Sequence, residues 1–217
     1  MTNLLIGNET LDYCSSAIIH QKTIDYYNQR AEEFSSETLN IDFENQRNMF
    51  LKNLKSGAHI LDLGCGAGRD SKAFLEKCYK VTAMDGSKKM CEIASKNIGQ
   101  RVICKNFHEL DEKDKFDDIW ANASLLHVPS VELYDIFKKL SLALKSGGCL
   151  YVSFKYGEFE GVRDSCDGRY FTDFTEENLR WMLSSFSELN FLEIKTTRDL
   201  RANKEGEKWL NAVIKKN

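Results

Sequence analysis

The sequence predicts an α/β fold, a doubly wound and mostly parallel sheet with helices on both faces. Three observations point there. From about residue 58 onward, short apolar runs alternate with amphipathic stretches, at lengths that suit strands and crossover helices. Residues 59–70 read HILDLGCGAGRD: a branched apolar run, a glycine-rich turn, then the start of a helix. In such sheets this is how a strand tip makes a nucleotide-sized site at the carboxyl edge. Finally, 217 residues suit one large domain that buries its own core.

The elements follow in order. Residues 1–15 have weak periodicity and read as an extension. Residues 16–34 read as a helix, with Tyr27, Ala31 and Phe34 on one face. A second helix covers 42–54, and Gly57 ends it. Strands are expected at 58–63, 80–84, 101–105, 116–121, 149–154 and 189–197. Helices are expected at 69–77, 88–97, 131–144 and 175–186, the last with Thr175 as its N-cap. Residues 207–215 read as strand or short helix. Residues 155–172 are rich in Gly and charge and read as a long irregular loop, a length that points to function. No proline- or serine-rich linker divides the chain.

Composition narrows the function. The hydrophobic fraction of 42% is ordinary for a globular protein. The net charge of −3, with acids and bases interleaved, gives no long-range reason to bind nucleic acid or an anionic membrane. Seven cysteines, an odd number with no C-x-x-C pair, disfavour a disulfide scaffold and a zinc site and point to a reducing, cytoplasmic compartment. The first residues lack the basic start and apolar core of a secretory signal. No apolar run approaches transmembrane length. No spacing suggests a metal cluster, so no metal is expected.

The turn separates two ligand classes. A dinucleotide fingerprint, G-x-G-x-x-G, would need glycine at 69, where Arg69 stands. The turn is G-x-G-x-G, at Gly64, Gly66 and Gly68, with Asp62 two residues ahead. A carboxylate there repels a pyrophosphate and suits a ligand with an amino group. Asp85 ends the second strand about 20 residues after Gly64, placed to accept from two vicinal ribose hydroxyls. The plain reading is an acid capping the helix at Ser87. Met90, one turn into that helix, reads equally as an adenine contact or as core.

This stretch, DLGCGAG, resembles motif I of the class I S-adenosylmethionine-dependent methyltransferases. Ser124-Leu125-Leu126-His127, followed by Val128-Pro129, is similar to tellurite-resistance-type and ubiquinone-biosynthesis-type members, which act on small molecules. The likeness runs from about residue 27 to the end and is strongest over 59–156. It implies a Rossmann-like, seven-stranded sheet whose last strand is antiparallel. The whole chain, 1–217, would be one methyltransferase domain, with 1–55 as a helical cap and 155–172 as the acceptor-side loop. It implies S-adenosyl-L-methionine as cofactor, S-adenosyl-L-homocysteine as product and a small-molecule acceptor.

The site residues implied are these. Tyr27, in a Y-x-x-x-A-x-x-F pattern, closes over the cofactor. Asp62 holds its amino group, and the backbone of Gly64, Cys65, Gly66 and Gly68 holds its other polar parts. Asp85, with Gly86 and Ser87, takes the ribose. Asn106 stands where the family often has aspartate, beside Phe107 and the adenine. Ala123 leaves the fourth strand next to the methionine half. His127 is placed to take a proton from a hydroxyl or thiol acceptor, or simply to order its loop. By residue type alone, Lys155, Tyr156, Arg169 and Tyr170, with Arg163 and Phe171, read either as the lining of a pocket for an anionic or flat acceptor or as a solvated loop with a few residues packed down. The base-amino tetrads Asn-Pro-Pro-Tyr and Asp-Pro-Pro-Tyr are absent, since Pro129 is the chain's single proline. Two other readings are a cofactor-binding module without catalysis, and RNA methylation using Lys204, Lys208, Lys215 and Lys216 as a basic edge.

Overall fold

Ile60, Leu61, Asp62 and Leu63 are all buried, so strand β1 (His59–Leu63) is covered on both faces, as its continuous apolar character requires. The computed structural model describes residues 13–163, 168–201, 204 and 206–217. β1 pairs in parallel with β2 (Lys80–Asp85) on one side and β4 (Asp118–Ala121) on the other. β3 (Ile103–Cys104) extends the sheet beyond β2, and β5 (Cys149–Lys155) pairs with β4, both in parallel. β8 (Leu189–Arg198) and β9 (Lys208–Lys216) complete seven strands in the order β3-β2-β1-β4-β5-β9-β8. β9 runs antiparallel to both neighbours, so residues 207–215, ambiguous by pattern, are strand.

Alternation along the strands makes two cores. Leu61, Leu63, Ile119 and Ala121 face one side, packed with α6 (Ser130–Ala143) and α7 (Glu176–Leu183). Ile60, Trp120, Tyr151 and Val213 face the other. There they meet Phe50 of α3 (Glu44–Leu51), Phe74 of α4 (Arg69–Glu76) and Ala94 of α5 (Lys88–Ile98). Trp120 stacks on Tyr151 with centroids 3.9 Å apart and planes 15° from parallel.

Three expectations are corrected. The single helix over 16–34 is two, α1 (Tyr13–Gln29) and α2 (Ala31–Thr38). They meet at Arg30, whose φ of −110° and ψ of 19° leave helical values. The hydrogen-bond ladder carries on across the break, with Arg30 N–H to Tyr26 O and Phe34 N–H to Arg30 O, which is why the periodicity reads as one element. The irregular loop at 155–172 is a continuation of β5 followed by a two-stranded ribbon, β6 (Glu160–Arg163) and β7 (Arg169–Thr172), paired antiparallel. The third strand spans two residues, because the chain turns at Asn106 into a 3-10 turn, Phe107–Glu109. β9 is internal to the sheet, and the Asn211 side chain accepts from Tyr151 Oη at 2.7 Å and donates to Lys195 O at 3.0 Å. The expected extension over residues 1–12, and Asp164, Cys166 and Asp167, lie outside the described residues.

Candidate active site

The carboxyl ends of β1, β2 and β4 open into a cavity of about 1010 Å³, roofed by α1. Asp62, Gly66, Asp85, Asn106, His127 and Arg169 all reach it. The turn after β1 has the shape glycine allows. Gly64 has φ +75°, and a Cβ there would sit 2.4 Å from Ser124 Cβ, so no other residue fits without moving the strand-four loop. Gly66, at φ +53°, has nothing within 4 Å of a Cβ position, which leaves bare backbone facing the cavity. Gly68 is the N-cap of α4. Cys65 beside them is buried, and burial, with the charges of Asp85 and Asp62, pushes its thiol well up, so it is not a nucleophile.

Asp85 ties this turn to the next one. Its Oδ2 accepts from Gly66 N–H at 2.9 Å and its Oδ1 from Ser87 N–H at 2.8 Å. Burial pushes its carboxyl up to about 6, against the pull of these backbone donors. Ser87 caps α5 by accepting from Met90 N–H at 3.2 Å. The Ser87 hydroxyl in turn donates to Asn28 Oδ1 at 2.9 Å, which pins α1 to α5. Met90 lines the cavity but is buried in its floor. A Cβ on Gly86 would lie 2.9 Å from Asn106 Oδ1, so that amide sits at the second turn, with the Phe107 ring beside the first.

Asp62 is buried, and its Oδ2 accepts from Ser71 Oγ at 2.6 Å. Burial and the nearby Asp70 charge push its carboxyl up to about 7. Asp70 is the residue that pattern reading passed over. It accepts from Arg47 Nη1 at 2.9 Å, Arg69 Nη2 at 2.7 Å, Trp120 Nε1 at 3.1 Å and Asn122 Nδ2 at 3.2 Å. Burial alone would raise it, but Arg69 and Arg47 hold it below the usual carboxylate range. Asn122 Oδ1 accepts from Ser153 Oγ at 2.8 Å, and Ser153 Oγ accepts from Ala123 N–H at 2.7 Å. This chain of bonds fixes the loop after β4, with Ala123 at φ 52° and its side chain at the cavity.

On the opposite wall, Tyr27 Oη lies 2.9 Å from His127 Nε2, and Arg169 Nη1 donates to the same oxygen at 2.9 Å. His127 Nδ1 lies 2.8 Å from Tyr170 O. A carbonyl only accepts, so Nδ1 carries the proton and Nε2 accepts from Tyr27. Burial and Arg169 push the imidazole down to about 3, so it is neutral. The expected proton-accepting nitrogen is therefore engaged. Burial pushes the Tyr27 phenol up in spite of Arg169. Arg169 also lies over the Tyr26 ring, 3.8 Å from its centroid.

Of the six residues expected to line the acceptor pocket, Lys155, Arg169 and Phe171 reach the cavity and Tyr156, Arg163 and Tyr170 do not. Tyr156 is exposed, bridging to Phe174. On β7 the side chains alternate, so Arg169 and Phe171 face the cavity while Tyr170 points away and donates to Glu160 Oε1 at 2.9 Å. Lys155 is buried and bonded to Glu207. Of the four lysines read as a basic edge, Lys204 pairs with Glu207 and Lys216 Nζ donates to Ser141 O and Leu144 O, while Lys208 and Lys215 are exposed. Among the described residues, no helix is long and apolar enough to cross a membrane.

Comparison with known proteins agrees with this geometry. A family profile described as a methyltransferase domain matches residues 60–148. A ubiquinone biosynthesis O-methyltransferase of Coxiella burnetii is 32% identical over 103 residues, covering 45% of this chain and 43% of that protein. One from Bradyrhizobium is 30% identical over 115 residues, 50% and 44% of the two chains. The chain thus spans less than half the length of the curated relatives it matches. Among solved structures, a Burkholderia thailandensis 1,6-didemethyltoxoflavin-N1-methyltransferase, crystallised with its substrate and S-adenosylhomocysteine, superposes with TM-score 0.75 at 20% identity, over 93% of this chain and 88% of that one. The N-methyltransferase NodS from Bradyrhizobium japonicum, with S-adenosylhomocysteine, gives TM-score 0.67 at 15% identity, over 91% and 98%. Residues 60–148 thus match a methyltransferase-domain profile, and the chain shares its fold with these methyltransferase structures.

Proposed function

We propose that the chain transfers a methyl group from S-adenosylmethionine to a small-molecule acceptor in the cytoplasm. It would do so as one domain, with residues 1–55 capping the site and 155–172 walling its acceptor side. The observation that carries this reading is a single cavity joining Asp62, Gly66 and Asp85 to the wall of Tyr27, Arg169 and Phe171. The residues fit the cofactor. Gly66 leaves open backbone, and the buried Asp62 and half-buried Asp85 carboxyls face the same space. Bound there, the cofactor supplies a methyl group already activated by its sulfonium.

The chain's own residues then bind, orient and exclude water. Asp85 accepts from the ribose hydroxyls and Asp62 from the amino group, directly or through water. Phe107 and Asn106 flank the base, above the floor made by Met90. Gly64, Cys65, Gly68, Gly86, Ser87 and Ala123 shape the backbone around it. Tyr27, Arg169, Lys155 and Phe171 face the acceptor, and their mix of rings and cations suits a flat or anionic one. His127 is better read as a positioning residue than as the base, because its Nε2 already holds the Tyr27 hydroxyl. An acceptor that is nucleophilic without help needs no more than this.

Calorimetry of the full chain tests the ligand class. S-adenosylhomocysteine is expected to bind and NADH is not; the reverse result removes the proposal. Acid should weaken that binding. Asp62 titrates at about 7 and Asp85 at about 6, and both must be ionised to hold an ammonium and a diol. Protonation competes with the ligand, so affinity is present above these values and lost as pH falls through them. Asp62 alone implies a dissociation constant about tenfold higher at pH 6 than at pH 8. A flat profile over that range would take Asp62 out of the amino-group site.

A further inference from the structure

At the rim of the cavity, three elements far apart in sequence bring metal-binding side chains together. His20 comes from α1, His108 from the turn after β3, and Glu132 from the first turn of α6. His20 Nε2 lies 2.8 Å from Glu132 Oε2, and His108 Nε2 lies 2.6 Å from the same oxygen. The three ligand atoms are all within 4.8 Å of one another. The two imidazoles meet edge to face, with centroids 4.6 Å apart. We propose that His20, His108 and Glu132 bind a divalent transition ion of the zinc class, which clamps α1 onto the rim of the cavity.

Several features favour an ion over a plain hydrogen-bonded latch. Two imidazoles converge on one carboxylate oxygen, so one acceptor serves two donors, where a latch needs only one. A metal at about 2.0–2.1 Å from each ligand needs tetrahedral ligand separations of roughly 3.3 Å. The observed 2.6 and 2.8 Å reach this when the side chains open by about half an ångström, within rotamer freedom on a partly exposed rim. The other carboxylate oxygen, Oε1, accepts from Ser16 Oγ, an outer partner of the kind that fixes a ligating carboxylate. Asp135 lies one turn further along α6 on the same rim and adds negative charge. Two nitrogens and one carboxylate favour Zn2+, Co2+ or Ni2+ over Mg2+ or Ca2+, which prefer oxygen sets. For coordination each imidazole presents its Nε2 lone pair and carries its proton on Nδ1.

The site does not depend on the transferase reading, and its test uses neither cofactor nor turnover. The untagged full chain, stripped with chelator, is titrated with Zn2+ by calorimetry and with Co2+ by visible absorption. One ion per chain is expected, together with a rise in thermal midpoint on adding Zn2+. The double variant His20→Ala/His108→Ala should lose the midpoint rise and the cobalt bands. Glu132→Gln keeps the side-chain shape and hydrogen-bonding capacity, so it tests the site even if the double variant fails to fold. Its affinity should fall about 100-fold, and that of Ser16→Ala about 10-fold. Absence of binding in the parent chain, or equal binding by Glu132→Gln, would overturn the proposal.

Discussion

Replacing Asp70 by alanine is expected to cost the fold about 3–5 kcal/mol, the range for removing one partner of a buried ion pair. Asp70 is the hub of the face opposite α6. It neutralises Arg47 and Arg69, whose side chains are only 13% and 18% exposed, and it accepts from the Trp120 indole. Alanine leaves two guanidinium groups and one indole N–H short of an acceptor in a site with little access to water. It also frees Asn122, and with it the bond chain to Ser153 and Ala123 that shapes the loop after β4. The loss should therefore reach the site as well as the core. Urea unfolding monitored by Trp fluorescence measures it. A loss under about 1 kcal/mol would mean that Arg47 and Arg69 find other partners, with Asp42 the nearest to Arg47 at 3.7 Å.

Asp85→Ala is expected to weaken S-adenosylhomocysteine binding by about 1.5–3 kcal/mol, the loss for hydrogen bonds to a charged group. That is roughly 10- to 150-fold in the dissociation constant. Asp85→Asn keeps one carbonyl oxygen and should fall between. Because Asp85 also accepts from Gly66 and Ser87, the alanine variant should show a lower thermal midpoint, so affinity is read at a temperature where both proteins are folded. Equal affinity in the two proteins would remove Asp85 from the ribose site.

What could be read without coordinates was local. The strand, turn and helix at 59–76 are specified by neighbours in sequence, since glycine spacing and an apolar run act over a few residues. The same holds for Ser87 and Thr175, whose side chains accept from Met90 N–H and Asn178 N–H as caps do. What escaped was contact between distant segments. Asp70 looks like an ordinary first-turn acid until Arg47 and Trp120 arrive from elsewhere. His127 looks like a free base until Tyr27 and the Tyr170 carbonyl take its two nitrogens. The ribbon β6–β7 was missed because glycines and charges hide a short strand alternation, and once it forms, its period of two turns Tyr170 away from the cavity and Phe171 toward it. His20, His108 and Glu132 carry no motif, because their spacing is set by packing and not by one helix or turn.

Among the described residues the ribbon β6–β7 forms its own two-stranded ladder, tied to the end of β5 through the Tyr156–Phe174 bridge, and it delivers Arg169 and Phe171 to the cavity. The strand tips carrying Asp62 and Asp85 and the ribbon facing them therefore belong to separate β-ladders, joined by single bonds such as His127 Nδ1–H to Tyr170 O and Phe174 N–H to Lys155 O. A lineage can exchange side chains on the small ribbon without disturbing the pairing on which the large sheet depends. Selectivity is thereby free to drift while foldability is conserved, which is a physical route by which one scaffold can come to serve many chemistries.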